Sequence, residues 1–281
     1  MSTVDAVLAQ YEKNKQSSSP AQNKVSGEER LKKYFTTILP KGSKGEQKRI
    51  RILPTSDGTS PFKEVYFHEI QVGKDWVKLY DPKQDGKRSP LNEVYQSLMN
   101  TGVEEDRKLA MPYRSRLFYI VKVIDRDNEQ DGPKFWRFKH KKNDGIIDKI
   151  FPLFHSKGDI TDIKNGRDLT LFLGLTKSPT GKEYTVINSI IPEDQSPLHA
   201  DEAAANAWVN DDMTWSDVYS KKPEEYLEMV AKGETPVWSS EAKKFVPYSS
   251  GEETISGKKS TVATPIEDPQ EDDDTDENLP F

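Results

Sequence analysis

The chain has 281 residues, enough for one substantial domain with appendages, but only 33% are hydrophobic and the mean hydropathy is -0.82, so part of it is expected to stay unpacked. The net charge of -6 is segregated: residues 44–192 carry 27 Lys/Arg against 21 Asp/Glu, whereas 193–248 carry 5 against 12 and 249–281 carry 2 against 10. No cysteine is present, which excludes disulfides and thiol catalysis, and no stretch has the apolar length of a membrane helix or of a signal-peptide core, so a soluble, cytoplasmic protein is expected.

In chain order, Val4, Val7, Leu8 and Tyr11 repeat at helical spacing before a polar linker, and residues 1–27 read as a flexible basic arm, either frayed or ordered by docking on a neighbouring subunit. Residues 28–192 read as a β-rich core. KRIRILP alternates Ile50 and Ile52 against Arg49 and Arg51. FKEVYFHEIQV and DWVKLY form a hairpin turning at Gly73-Lys74, with Trp76, Lys78 and Tyr80 on one face. A helical insertion near 89–103 has Ser89 at the N-cap, Pro90 at N1 and Gly102 at its end. RSRLFYIVKVID is a long strand, preceded by Tyr113, with Leu117, Tyr119, Val121 and Val123 on one face and Arg114, Arg116, Phe118 and Lys122 on the other. KFWRFKHKK follows a turn at Asp131-Gly132-Pro133, GIIDKIFPLF reads as helix as far as Phe151, and DLTLFLGL pairs with KEYTVINSII. Many short strands with few helices suggest a closed or nearly closed β-barrel. Residues 193–248 read as a helical extension with two helices and a final short hairpin, and 249–281 as a disordered acidic tail.

The strand faces carry the chemistry. A half-buried strand ordinarily turns apolar residues inward and assorted polar residues outward. Here the outward faces mix cations with flat rings: Arg49 and Arg51, then Trp76, Lys78 and Tyr80, then Arg114, Arg116, Phe118 and Lys122. In KFWRFKHKK either parity supplies both kinds, Lys134, Trp136, Phe138 and His140 or Phe135, Arg137, Lys139 and Lys141. Rings for bases and cations for phosphates are what a groove for single-stranded nucleic acid requires. In the tail, Asp272, Asp273, Asp274, Asp276 and Glu277 precede Pro280 and Phe281, and a terminal Phe beside its own carboxylate suits an apolar pocket rimmed by cations on a partner protein. The four histidines have no metal-ligand spacing and no phosphate-binding loop occurs, so no enzyme, metal or cofactor is expected.

This succession resembles the single-stranded DNA-binding, helix-destabilising proteins of T-even bacteriophages. The likeness runs from about residue 30 to 234 through KRIRILP, PFKEVYFHEIQVGKDWVKLYD, RLFYIVKVIDR, KFWRFKHKKNDGIIDKI, SIIPEDQ and PEEYLEMVAKG. The resemblance implies a five-stranded OB-fold core, an arm for self-association, and an acidic tail that recruits replication and recombination proteins such as polymerase, helicase or primase. It also implies that DNA lies on RLFYIV and KFWRFK. The family's cysteine-and-histidine zinc site has no counterpart in DPKQDGKRSPLNEVYQSL, so packing of the helix after Ser89 is expected to hold that region instead. The tail tip is similar to that of bacterial single-stranded DNA-binding proteins. Two other readings fit the same residues: an RNA-binding or annealing protein, distinguished by competition between DNA and RNA, and a protein-binding adaptor without salt-dependent nucleic-acid affinity.

Overall fold

A computed structural model of the chain describes residues 32–178, 181, 183–219 and 221–248. The expected arm (1–27) and the expected acidic tail (249–281), with Asp272 to Phe281, lie outside the described residues.

Seven strands form one antiparallel sheet. They are β1 (Gly45–Ile52), β2 (Lys63–Val72), β3 (Asp75–Tyr80), β4 (Ser115–Asp125), β5 (Lys134–Lys139), β6 (Arg167–Lys177) and β7 (Glu183–Gln195). Their order is β3-β2-β4-β1-β6-β7, with β5 on the other edge of β4. β4 organises the sheet: its first half pairs with β2, its last three residues with β1, and Phe118–Val123 with β5. Among the described residues no closed barrel is found; instead residues 33–39 span the gap, with the Phe35 amide donating to the Phe135 carbonyl at 2.9 Å and the Leu39 amide donating to Thr185 Oγ1 of β7 at 3.1 Å.

Among the described residues six α-helices flank the sheet: α1 (Pro90–Asn100), α2 (Glu104–Ala110), α3 (Ile146–Lys157), α4 (Glu202–Val209), α5 (Trp215–Val218) and α6 (Glu224–Ala231); β8 (Pro236–Ser239) and β9 (Lys244–Pro247) make a separate hairpin. α3 runs six residues past Phe151 despite Pro152. Pro152 is exposed, so water can take the carbonyl its missing N–H leaves free, while Ile150, Leu153 and Phe154 keep the helix packed. Ser89 does cap α1 by position, yet its hydroxyl makes no hydrogen bond to the helix.

The alternation of β4 sorts the core. Tyr119, Val121 and Val123 pack with Ile50, Ile52, Trp136, Ile150 and Leu169 on one face. On the other face Phe118 and Ile120 join Val65, Phe67, Tyr80 and Phe135 beneath Trp215, Val218 and Tyr219 of the C-terminal segment. A third cluster, Ile70, Leu79, Leu91, Leu227 and Val230, clamps the β2–β3 hairpin between α1 and α6. Strands buried on both sides explain why sparse hydrophobic content supports this fold, since each face finds its own cover.

The β1 face carries a correction. Arg49 and Arg51 were expected side by side on an outward cationic face, but Arg51 is wholly buried. Its Nη1 meets Asp168 Oδ1 at 3.0 Å, and its Nη2 donates to the carbonyls of Ser196 at 2.7 Å and Asp162 at 3.1 Å. Arg126 grips the same carboxylate through two nitrogens at 2.8 and 2.9 Å. Burial pulls Arg51 below its ordinary pKa against the opposing attraction of Asp168. Arg49 stays half-exposed, and its guanidinium is held by Glu193 at 2.7 Å.

Candidate nucleic-acid interface

One sheet face gathers most of the expected cations. The β2–β3 register sets Gln71 opposite Trp76, Glu69 opposite Lys78, and Phe67 opposite Tyr80. The β2–β4 register brings Phe67 to Arg116 and Val65 to Phe118; β5 then adds Lys139 beside Phe118, Arg137 beside Ile120 and Phe135 beside Lys122. Residues opposite each other across a ladder share a face. These strands therefore present a continuous surface with two halves, one of rings and one of cations.

The ring half is covered. Tyr80 is 7% exposed and Phe118 1%, both under Trp215 and Tyr219. Tyr219 explains the cover's position: its hydroxyl donates to the Lys78 carbonyl at 2.9 Å and accepts from the Tyr80 amide at 3.0 Å, satisfying peptide groups of edge strand β3. Burial pushes this phenol up to about 12. Lys122, expected among the contacts, is engaged by the Asp211 carbonyl at 2.6 Å and carboxylate at 2.8 Å at the start of the same segment.

The cation half opens into a groove of about 400 Å³ between this face, α3 and the β6–β7 hairpin. Its walls carry Lys78, Arg137, Lys139, Lys141 and Lys149 against the carboxylates of Glu69 and Asp144. Arg137 lies over the rings of Phe67 at 5.3 Å and Phe118 at 5.9 Å, within cation–π range. Its Nε is buried without a hydrogen-bond partner, and it forms no ion pair among the described residues. Lys149 is spent on Asp144. Glu69 sits among three cations, with Lys139 Nζ at 2.8 Å, Arg116 Nε at 3.6 Å and Lys78 Nζ at 3.8 Å. Burial would push the Glu69 carboxyl up, but Lys139, Lys78 and Arg116 together hold it below its usual range.

The two parities of KFWRFKHKK are thereby separated. Trp136 and Phe138 are 1% and 4% exposed, packed in the core below the sheet, whereas Arg137, Lys139 and Lys141 line the groove, where an edge of Phe138 also reaches. Lys134, named with the buried parity, is a structural cation bound by Asp131 at 2.9 Å and Asp125 at 3.1 Å. Burial lowers its pKa, but those two carboxylates raise it more, so it ends above the ordinary lysine value. Trp76 is 38% exposed at the hairpin end and Arg114 is exposed just before β4. Tyr113 is half-buried and gives its carbonyl to His68 Nδ1 at 2.8 Å.

Three charged groove residues were missed by sequence reasoning, Glu69, Asp144 and Lys149. For Glu69 a signal existed: alternation places it on the strand face of Val65 and Phe67, where a carboxylate among apolar residues needs a cationic partner. Lys149 offered none, because only the packing of α3 brings it to the groove.

The region where the resembling family holds zinc is a buried polar node. His68 is wholly buried, with Nε2 at 3.5 Å from both Asp81 Oδ1 and Ser89 Oγ. A structural zinc needs about four N, S or O ligands. No group of three His, Asp, Glu or Cys that could hold a metal occurs among the described residues, so this node does not fit the ion. Packing of Leu91 under α6 and the pairing of Arg88 with Glu93, Glu224 and Glu228 join the hairpin, α1 and α6.

Compared with protein-family models and with curated proteins, the chain matches none.

Proposed function

We propose that this chain is a sequence-independent single-stranded DNA-binding protein of phage DNA replication, recombination and repair, built on an incompletely closed OB-type barrel. The observation that carries the reading is the groove itself. Five cations stand along one wall system, and the Arg137 guanidinium, with no ion pair among the described residues, stands 5.3 and 5.9 Å from the centres of two phenyl rings. A row of cations pairs with one phosphate backbone, and the guanidinium plane offers a surface on which a base can stack. Cations aimed at a phosphate backbone position a strand without reading its bases, which suits binding without sequence preference. The acidic tail, by its likeness to bacterial single-stranded DNA-binding proteins, recruits replication and recombination enzymes, and the arm mediates self-association.

The test is fluorescence anisotropy of a labelled thymidine oligomer titrated with the full chain across a salt series, with duplex DNA and RNA of equal length as competitors. Neutralising five phosphates on a single strand predicts a log K against log salt slope of up to about -3.5, from about -0.7 per phosphate. Strong preference for single-stranded DNA supports the proposal. Equal or better competition by RNA moves the function to RNA binding. Absence of binding at low salt refutes nucleic-acid recognition and leaves the protein adaptor.

A further inference from the structure

Of the two carboxylates in the groove, Asp144 pairs with Lys149, whereas Glu69 is shared by several cations. Glu69 lies at the centre of β2, half-buried, with side-chain exposure of 17%. Its two oxygens divide three cations that come from three different strands: Lys78 of β3, Arg116 of β4 and Lys139 of β5. An anion with two oxygens, held by cations converging from separate strands, has the charge and the oxygen geometry of a phosphodiester. Beside it, Arg137 provides a fourth cation with no carboxylate of its own among the described residues.

We infer that the site formed by Lys78, Arg116 and Lys139 binds a DNA phosphodiester, and that in the free protein Glu69 occupies it as an internal substitute. The inference rests on the groove being the DNA surface. In the free state the carboxylate keeps three like charges from repelling one another and holds their side chains in place. When a strand enters, its phosphate competes with Glu69 for the same donors, so the cations change partner rather than acquire one. The carboxylate thus lowers affinity in exchange for an ordered site. Because it competes for the same donors, it also shortens the residence of a bound strand.

The consequence is opposite to that of a scaffolding carboxylate, so one measurement separates the two. Wild-type chain and Glu69→Gln are compared by anisotropy with the labelled thymidine oligomer at three salt concentrations, with thermal unfolding recorded for both. Glu69→Gln is expected to bind about 5–20-fold more tightly at low salt, with a salt slope steeper by about 0.7, because one more cation is available to phosphate. Lys139→Gln, which removes the cation nearest Glu69, is expected to bind about tenfold more weakly, with a shallower slope. It serves as the second variant should Glu69→Gln fold poorly. Unchanged or weaker binding by folded Glu69→Gln, or unchanged binding by Lys139→Gln, overturns the inference while wild-type binding still upholds the groove. If the wild type binds no single strand, the groove assignment and the inference fall together.

Discussion

Replacing Asp168 by alanine separates a structural role for the β1 arginines from a role in DNA binding. Asp168 is 5% exposed and accepts from Arg51 at 3.0 Å and from Arg126 at 2.8 and 2.9 Å. Removing one partner of a buried ion pair costs about 3–5 kcal/mol, mostly because a charge is left without compensation. Two circumstances soften the loss. Arg51 keeps the Ser196 and Asp162 carbonyls, and Arg126 keeps Glu129 at 2.7 Å and the Leu198 carbonyl at 3.0 Å. The lower end, about 3 kcal/mol, is therefore expected, a large share of the roughly 5–15 kcal/mol that stabilises a folded domain. For a chain of this size that corresponds to a fall in Tm of about 6–12 °C. Urea unfolding followed by circular dichroism measures it. At a temperature where the variant is folded, its affinity for a thymidine oligomer should stay within about twofold of wild type, because the network is distinct from the groove. A stability loss below about 1 kcal/mol, or a large drop in affinity with the fold intact, refutes the assignment.

Arg137→Ala is expected to weaken single-strand binding by about 1–3 kcal/mol and to reduce the salt slope, with a fall in Tm of a few degrees from its lost contacts with Phe67 and Phe118, as read by anisotropy and calorimetry on the same sample. Asp81 is held well below the usual carboxylate range: burial opposes this, but hydrogen bonds from His68, Ser89 and the Lys83 amide prevail. A carboxyl depressed on folding contributes stability above its unfolded pKa near 4 and loses it as pH falls toward the folded value, so urea midpoints should drop below about pH 5. Asp81→Asn should flatten that drop and lower stability at pH 7. Gly166→Ala is expected to cost at least about 1–3 kcal/mol by urea unfolding, since a Cβ there would meet the Asp162 carbonyl at 2.3 Å and Arg51 Nη2 at 2.7 Å. Tyr219→Phe should cost about 1–3 kcal/mol and speed amide exchange at Tyr80, whose N–H loses its acceptor.

The strand faces were legible because alternation is a local property. Trp76, Lys78 and Tyr80 share a face as expected, and so do Arg116, Phe118 and Lys122, since period-two geometry needs no knowledge of partners. The hairpin turn at Gly73, at φ 65°, was legible for a similar reason. What escaped was the identity of each cover. Arg51 alternates out of phase with Ile50 and Ile52, but it is buried by Asp168 and Ser196, more than a hundred residues downstream. The rings of Tyr80 and Phe118 read as available for bases; the short helix Trp215–Val218, with no periodicity long enough to announce it, takes that space. Lys134 looked like a groove cation because nothing local shows that Asp125, closing one strand, and Asp131, in the turn after it, both pair with it.

The cover over the rings changes what the groove can offer a ligand. Had the aromatic half of the sheet been open, stacking at about 1–3 kcal/mol per base would supply affinity that salt does not touch. With Trp215 and Tyr219 seated on Phe67, Tyr80 and Phe118, the free surface is left with cations, the guanidinium of Arg137 and the partly exposed Trp76. Under the proposed function the affinity should then be mainly electrostatic and fall steeply with salt. The covering segment also supplies Asp211, which engages Lys122, so the same stretch of chain neutralises one cation of the face while shielding its rings. The division of the sheet into a packed half and a charged half is thus imposed by the C-terminal extension. The strands supply both kinds of side chain along their whole length, and the extension decides which remain accessible.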